Sequence, residues 1–251
     1  MPKRADNIAG RLHDSLVSAD ENRVMFDRIA SYYDGTNRIL SLGFDRYWRR
    51  RAVDRLSPRP GGLYLDVGCG TGDMCVEVLR KAPGCRVVGI DPSEGMLAIG
   101  RQKIQAAGLS EAVSLLRGDV LNLQFPDNSF DGAITAFCIR NVTDRLRGLR
   151  EMCRVIRPGG SLVILELTDP VGTMKPLFRL YSDVVMPLVT KVMSSVSAYR
   201  YLTDSMADFP DADRFVSVIQ NAGFADTSYF RMTGGIVTVF EARVPGSPPR
   251  P

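Results

Sequence analysis

The chain has 251 residues, 45% of them apolar and 24% charged, with a net charge of +4, which suits one sizeable domain, with or without a lid. That charge is mild and no long basic run concentrates it, so nucleic-acid binding is not implied. Five scattered cysteines without a C-x-x-C pair, no apolar leader after Met1-Pro2-Lys3-Arg4, no run of about 18 apolar residues and a single histidine argue against a disulfide framework, a zinc site, a secretion signal, a membrane span and most His-based chemistry.

In chain order, residues 1–20, which include His13, read as a mobile polar leader, and Pro245 to Pro251 as a disordered proline-rich tail. Between them lies one domain, 21–244. Helices over 22–33 and 44–56 are predicted to form a lid spanning about 22–56. From residue 60 onward, apolar β-rich runs at 62–67, 85–90, 112–117, 130–136 and 160–167 alternate with amphipathic stretches, the pattern of βαβ units on a mostly parallel sheet. Gly108, Pro158-Gly159-Gly160 and Gly223 punctuate the helix ends as C-caps would. Residues 173–208 read as a helical insertion. Within it, Leu177 to Val196, interrupted by Pro187, suits a buried cap helix slightly better than a face for a long isoprenoid tail or a membrane. The runs 224–231 and 233–242, joined at Thr233-Gly234-Gly235, read as a closing antiparallel hairpin. The whole looks like an α/β, doubly wound, seven-stranded methyltransferase fold.

The chemistry concentrates at Leu65-Asp66-Val67-Gly68-Cys69-Gly70-Thr71-Gly72-Asp73, where an apolar run ends in an acid and breaks into alternate glycines. Val87-Val88-Gly89-Ile90 then ends in Asp91, about 20 residues on, the spacing of a ribose-binding acid, with an N-cap for the helix starting near Ser93 as the plainer reading. The glycines read G-x-G-x-G with Asp73 following, not the dinucleotide fingerprint. Asp66 before them would repel a pyrophosphate but suits an α-ammonium group. S-adenosylmethionine therefore fits better than NAD. Gly68 and Gly70 would let backbone N–H groups approach it, and Thr71 suits its carboxylate or a helix cap. Asp119 and the N–H of Val120 suit adenine, with an Asx turn as the plainer reading. Arg140 and Asn141 leave the fourth strand at its carboxyl end, either as a cation and an amide for a phenolate-like substrate or as a loop salt bridge with Asp144. Val24 to Asp34 carries an apolar helical stripe, mostly core, from which Tyr33 with Asn37 reaches towards the cofactor as a lid.

Together these motifs resemble the C-methyltransferases of menaquinone and ubiquinone biosynthesis from about Val24 to Ala242. The carriers are Phe26-Asp27-Arg28-Ile29-Ala30, Tyr33-Asp34, Asn37, Leu40-Ser41, Trp48-Arg49, Arg140-Asn141-Val142-Thr143-Asp144, Pro158-Gly159-Gly160 with Leu165-Glu166, Tyr201-Leu202 leading to Ser205, Phe209-Pro210 and Thr233-Gly234-Gly235-Ile236-Val237. The resemblance implies methyl transfer from S-adenosylmethionine to a ring carbon of a prenylated quinol. Cofactor contacts then fall on Thr71, Asp91, Asp119, Val120 and Ala136, and catalysis on Arg140 and Asn141. Tyr33, Asn37, Cys138 and Tyr201 face the substrate or its lid. No metal is implied. Three positions depart from the family: Ala136 for a frequent serine, Cys138 for glycine and Asp45 for a common histidine.

The expected setting is a bacterial cytoplasm, with room for peripheral membrane contact and for a homodimer. A methyltransferase for another small phenol or lipid is the alternative within enzymes. A NAD-dependent oxidoreductase is disfavoured by the loop, the scarcity of histidine and the lack of Tyr-x-x-x-Lys. A non-catalytic quinone-binding protein is disfavoured by the retained Asp66, Asp91 and Arg140.

Overall fold

The computed structural model describes residues 19–182, 205–206 and 208–246. Residues 1–18 of the expected leader, His13 among them, the tail from Ser247 onward, Pro187 and Tyr201 lie outside the described residues. Seven strands form one sheet in the order β3-β2-β1-β4-β5-β7-β6. β1 (Leu63–Val67), β2 (Arg86–Asp91), β3 (Val113–Arg117), β4 (Phe130–Ala136) and β5 (Ile156–Leu167) pair in parallel. β7 (Val237–Arg243) runs antiparallel to both β5 and β6 (Ala225–Met232). Strand order reverses between β1 and β4, which opens a crevice at their carboxyl ends.

The central strands are apolar on both faces because each face is covered. On one side α2 (Phe44–Leu56), α3 (Asp73–Lys81) and α4 (Glu94–Ala106) bury Trp48, Val53, Val78 and Leu97 against Ile134 and Leu165. On the other, α5 (Arg145–Val155) and α7 (Ala212–Asn221) bury Leu149, Met152 and Phe215 against Leu65, Val67 and Phe240.

Four expectations change. The first helix, α1 (Ala19–Leu40), starts inside the expected leader and runs past Gly35, which is solvent-exposed. Asp20 and Glu21 in its first turn and Arg38 in its last complement its dipole, offsetting an interior glycine worth about 1 kcal/mol. Gly108 and Gly223 do follow helix C-caps at positive φ. Pro158-Gly159-Gly160 does not: α5 ends at Val155, and Gly159, at φ 79°, lies inside β5 where its register with β4 shifts. Thr233–Gly235 forms a 3₁₀ turn, so the last strand starts at Val237 and not at 233. In the insertion, α6 (Met174–Leu180) buries no residue, with Leu177 59% and Leu180 62% exposed, so its described part is not a buried cap.

Candidate active site

The glycine loop after β1 is built on backbone shape. Gly68, Gly70 and Gly72 have φ of 68°, 52° and 80°, a region that costs other residues roughly 1–2 kcal/mol. The Gly68 and Cys69 N–H groups donate to the Ile90 carbonyl at 2.8 and 2.9 Å, locking the loop onto β2. A Cβ at Gly68 would stand 2.2 Å from Cys138 Sγ, so glycine is needed there for space as well. Asp91 closes the loop: Oδ2 accepts from Gly70 N (2.8 Å) and Oδ1 from Ser93 N (2.9 Å). The cap of α4 is Ser93, which leaves Asp91 facing the crevice.

A cavity of about 620 Å³ opens at the ends of β1 to β4, within the range of small-molecule sites. Gly68, Gly70, Asp91, Asp119, Val120, Ala136, Cys138, Asn141 and Tyr33 all line it. Asp119 sits on its rim and also forms the Asx turn, Oδ1 accepting from Leu121 N at 2.9 Å. Tyr33 is hydrogen-bonded by Asn37, and burial raises its hydroxyl above the usual range.

Asp66, Thr71 and Arg140 lie behind the cavity wall. Asp66 is fully buried; Oδ2 accepts from Cys75 Sγ at 3.2 Å, and Oδ1 has no partner among the described residues. Burial, reinforced by the charge of Asp91, pushes its carboxyl up to about 7. Burial raises Asp91 to about 6, against the two backbone N–H groups that it accepts. The Thr71 hydroxyl has one proton, and that goes to Asp34 Oδ1 (2.6 Å), while Lys103 Nζ donates to its oxygen (3.0 Å). Thr71 thus ties the loop to α1 and has no proton left for a ligand carboxylate.

Arg140 and Asn141 take different positions. Arg140 is buried and paired with Glu166, not with Asp144, which caps α5 by accepting from Arg147 N. Its Nη1 donates to Glu166 Oε1 (2.5 Å) and to the Phe137 carbonyl (2.7 Å), and Nε to Ser205 Oγ (3.3 Å). Phe137 takes a left-handed φ of 57°, a strained bend that turns the chain from β4 into the 3₁₀ turn Ile139–Asn141. Asn141 projects into the cavity wall, and its shielded Oδ1 has no partner among the described residues. Asp45 is buried in ion pairs with Arg38 and Arg49 and does not line the cavity.

Sequence reasoning missed the clamp that holds α1 down. Asp27 Oδ1 accepts from Ser93 Oγ (2.6 Å) and Gly95 N (2.9 Å), and Asp34 Oδ2 accepts from Lys103 Nζ (2.5 Å). The available signal was Asp27 and Asp34 seven apart, two turns along one helix face. Glu166 was visible as an acid near the carboxyl end of an apolar strand.

Chemically, the crevice offers a carboxylate for a ribose and an amide oxygen for a hydroxyl, and behind its wall lies a buried acid with one orphaned oxygen. Residues 16–243 match the model of the ubiE/COQ5 methyltransferase family. A demethylmenaquinone methyltransferase of Bacteroides fragilis is 44% identical over 220 residues, 87% of this chain and 90% of that one. The ubiquinone/menaquinone biosynthesis C-methyltransferase UbiE of Geotalea daltonii is 42% identical over 218 residues, 86% and 93% of the two chains. Haemonchus contortus phosphoethanolamine N-methyltransferase 2, solved in complex with S-adenosyl-L-methionine, shares the fold. It superposes at a TM-score of 0.61 and 19% identity, over 81% of this chain and 53% of that one.

Proposed function

The chain belongs to the ubiE/COQ5 methyltransferase family, and from that premise we propose that it methylates a ring carbon of a prenylated quinol, converting demethylmenaquinol to menaquinol. The residues present fit S-adenosyl-L-methionine: Asp91 faces the crevice for the ribose, Asp119 and Val120 for the adenine, and the orphaned Asp66 Oδ1 awaits a cation. When bound, this cofactor supplies an electrophilic methyl group on a sulfonium.

The observation that carries the substrate reading is Asn141 Oδ1, a shielded acceptor without a partner among the described residues, in the wall of that cavity. A quinol hydroxyl titrates near ~10, so its ring carbon is weakly nucleophilic at neutral pH. By accepting a hydrogen bond from that hydroxyl, Asn141 draws electron density onto the oxygen and through it onto the ring. Arg140 acts through Asn141, holding the turn that presents it, with Glu166 fixing the guanidinium. Ala136 and Cys138 shape the wall alongside. Excluding water and aligning the ring for attack would complete what these residues contribute. The ring proton displaced by the new carbon–carbon bond leaves to solvent.

The carboxyl of Asp66 gives this reading a pH signature. Its proton is held to about pH 7 in the folded protein and to 3.8 in the ordinary case, so the folded state binds more protons across that window. The unliganded protein therefore loses stability as pH rises from about 4 to 7. An ammonium group placed beside Asp66 favours its charged form. Titration calorimetry at pH 6.5 in two buffers of different ionisation enthalpy is expected to show proton release on cofactor binding, and Asp66→Asn is expected to remove most of it, leaving the smaller share of Asp91.

Contact with a membrane surface follows from a tailed substrate. Leu42, at 71% exposure, stands out from the α1–α2 turn with Phe44 and Tyr47, and the Tyr181 hydroxyl donates to Leu40 O to bring α6 beside it. Among the described residues no helix is long and apolar enough to cross a membrane, so the contact proposed is peripheral. Turnover measured on tailed demethylmenaquinol in vesicles, a tail-less analogue and a demethylated benzoquinol tests substrate and surface together. The tailed naphthoquinol is expected to be preferred, and Leu42→Ser with Phe44→Ser to slow only the vesicle-borne substrate. Equal rates on all three would refute the prenyl-quinol reading.

A further inference from the structure

We propose that Arg49 binds the α-carboxylate of the cofactor's methionyl group, opposite Asp66, which takes the α-ammonium. The inference rests on S-adenosyl-L-methionine being the cofactor. Arg49 belongs to α2 and is 7% exposed, yet Nε is shielded from solvent and has no hydrogen-bond partner among the described residues. Orphaned buried donors on a charged group are costly and scarce in folded proteins. Asp66 presents the opposite defect, an orphaned acceptor on a buried acid. A buried guanidinium with one orphaned donor and a buried acid with one orphaned acceptor, both beside the glycine loop, match the two ends of an α-amino acid zwitterion.

Arg49 is near the right place. Its guanidinium lies 5.5 Å from the ring centroid of Phe137, the residue that leads into the Cys138 wall. Its charge acts on the Asp66 carboxyl and on the Tyr33 hydroxyl, which lines the cavity. It is also held in position: Nη1 donates to Asp45 Oδ2 at 2.6 Å, and Nη2 lies 3.8 Å from Asp73 Oδ2, Asp73 being the first residue of α3 after the glycine loop. Arg38 braces Asp45 from the far side at 3.2 Å. Such bracing sets one edge of the planar fork and leaves Nε for a ligand.

The neighbouring candidates are engaged. Lys103 Nζ already donates to Asp34, Thr71 and Asp73, its full complement of three. The hydroxyl proton of Thr71 is committed to Asp34. Arg38 Nε also lacks a hydrogen-bond partner, but it lies 3.2 Å from Asp45 Oδ1 in an ion pair, whereas the ion pairs of Arg49 run through Nη1 and Nη2 and leave its Nε over.

The test is equilibrium binding of four ligands: S-adenosyl-L-methionine, S-adenosyl-L-homocysteine, decarboxylated S-adenosylmethionine and 5′-methylthioadenosine. The wild-type protein is expected to bind S-adenosyl-L-methionine about 30-fold more tightly than its decarboxylated form, the scale of a hydrogen bond to a charged group. Arg49→Met is expected to weaken both carboxylate-bearing ligands about 30-fold and to leave the other two within about twofold, erasing the discrimination. Arg49→Lys is expected to restore part of it through charge without the fork. Equal weakening of all four ligands would make Arg49 a structural residue and overturn the proposal. Absence of discrimination in the wild-type protein would overturn it too, whether or not Arg49→Met folds. Failure of the wild-type protein to bind any of the four would instead remove the cofactor reading on which it rests.

Discussion

Arg140→Met is expected to lower stability by about 3–5 kcal/mol and turnover by at least about 100-fold, while the folded fraction keeps its cofactor affinity within about threefold. The loss of stability comes from Glu166. That carboxylate is fully buried and accepts from Arg140 Nη1 and the Arg140 backbone N–H, so deleting the guanidinium leaves a charge in the core without its counter-ion. The loss of turnover comes from geometry. Arg140 also ties the Phe137 carbonyl and Ser205 together, which fixes the bend from which Asn141 enters the cavity. A positioning role predicts that kcat falls while cofactor binding survives, because the proposed ribose acid, Asp91, is bonded to Gly70 and not to Arg140. Pairing Arg140→Met with Glu166→Gln is expected to return much of the stability without returning the turnover. Thermal unfolding and steady-state kinetics on the single and double variants separate the two effects.

Gly68→Ala is expected to weaken cofactor binding by at least about 100-fold. Two independent costs fall on one methyl group. The φ of 68° costs an alanine roughly 1–2 kcal/mol, and the collision with Cys138 Sγ adds overpacking of about 1–3 kcal/mol. The loop can relieve them only by breaking the paired N–H bonds to Ile90 O, which shape the cofactor side of the crevice. Adding Cys138→Gly removes the collision but not the backbone strain. The double variant is therefore expected to recover part of the affinity and not all of it, as calorimetry would show.

What was legible in the sequence is what local pattern encodes. Five apolar runs of strand length and their glycine stops marked β1 to β5 within a few residues, and the spacing from the glycine loop pointed to Asp91, which lines the crevice. Pro158-Gly159-Gly160 misled because a left-handed glycine serves a strand bulge as readily as a helix cap. Helix α1 was longer than its apolar stripe suggested, because ionic clamps at Asp27 and Asp34 hold it to α4 and the glycine loop. Those clamps, like the Arg140–Glu166 pair, join residues far apart in the chain, and no local period records them. The motif Trp48-Arg49 was visible, but its orphaned Nε emerges only once Asp45, Asp73 and Phe137 are packed around it. Arg140 and Asn141, a cation and an amide side by side, were both expected at the substrate. The strained bend at Phe137 sends one behind the wall and the other into it.

Carbon methylation of a quinol is tested by following the methyl carbon itself. Purified protein would be incubated with S-adenosyl-L-methionine carrying a ¹³C-labelled methyl group and reduced, tailed demethylmenaquinol, and the product examined by NMR. One labelled methyl bonded to a ring carbon is expected, and none on oxygen. Label on a ring oxygen, or bound cofactor with no label in any quinol product, would contradict carbon methylation.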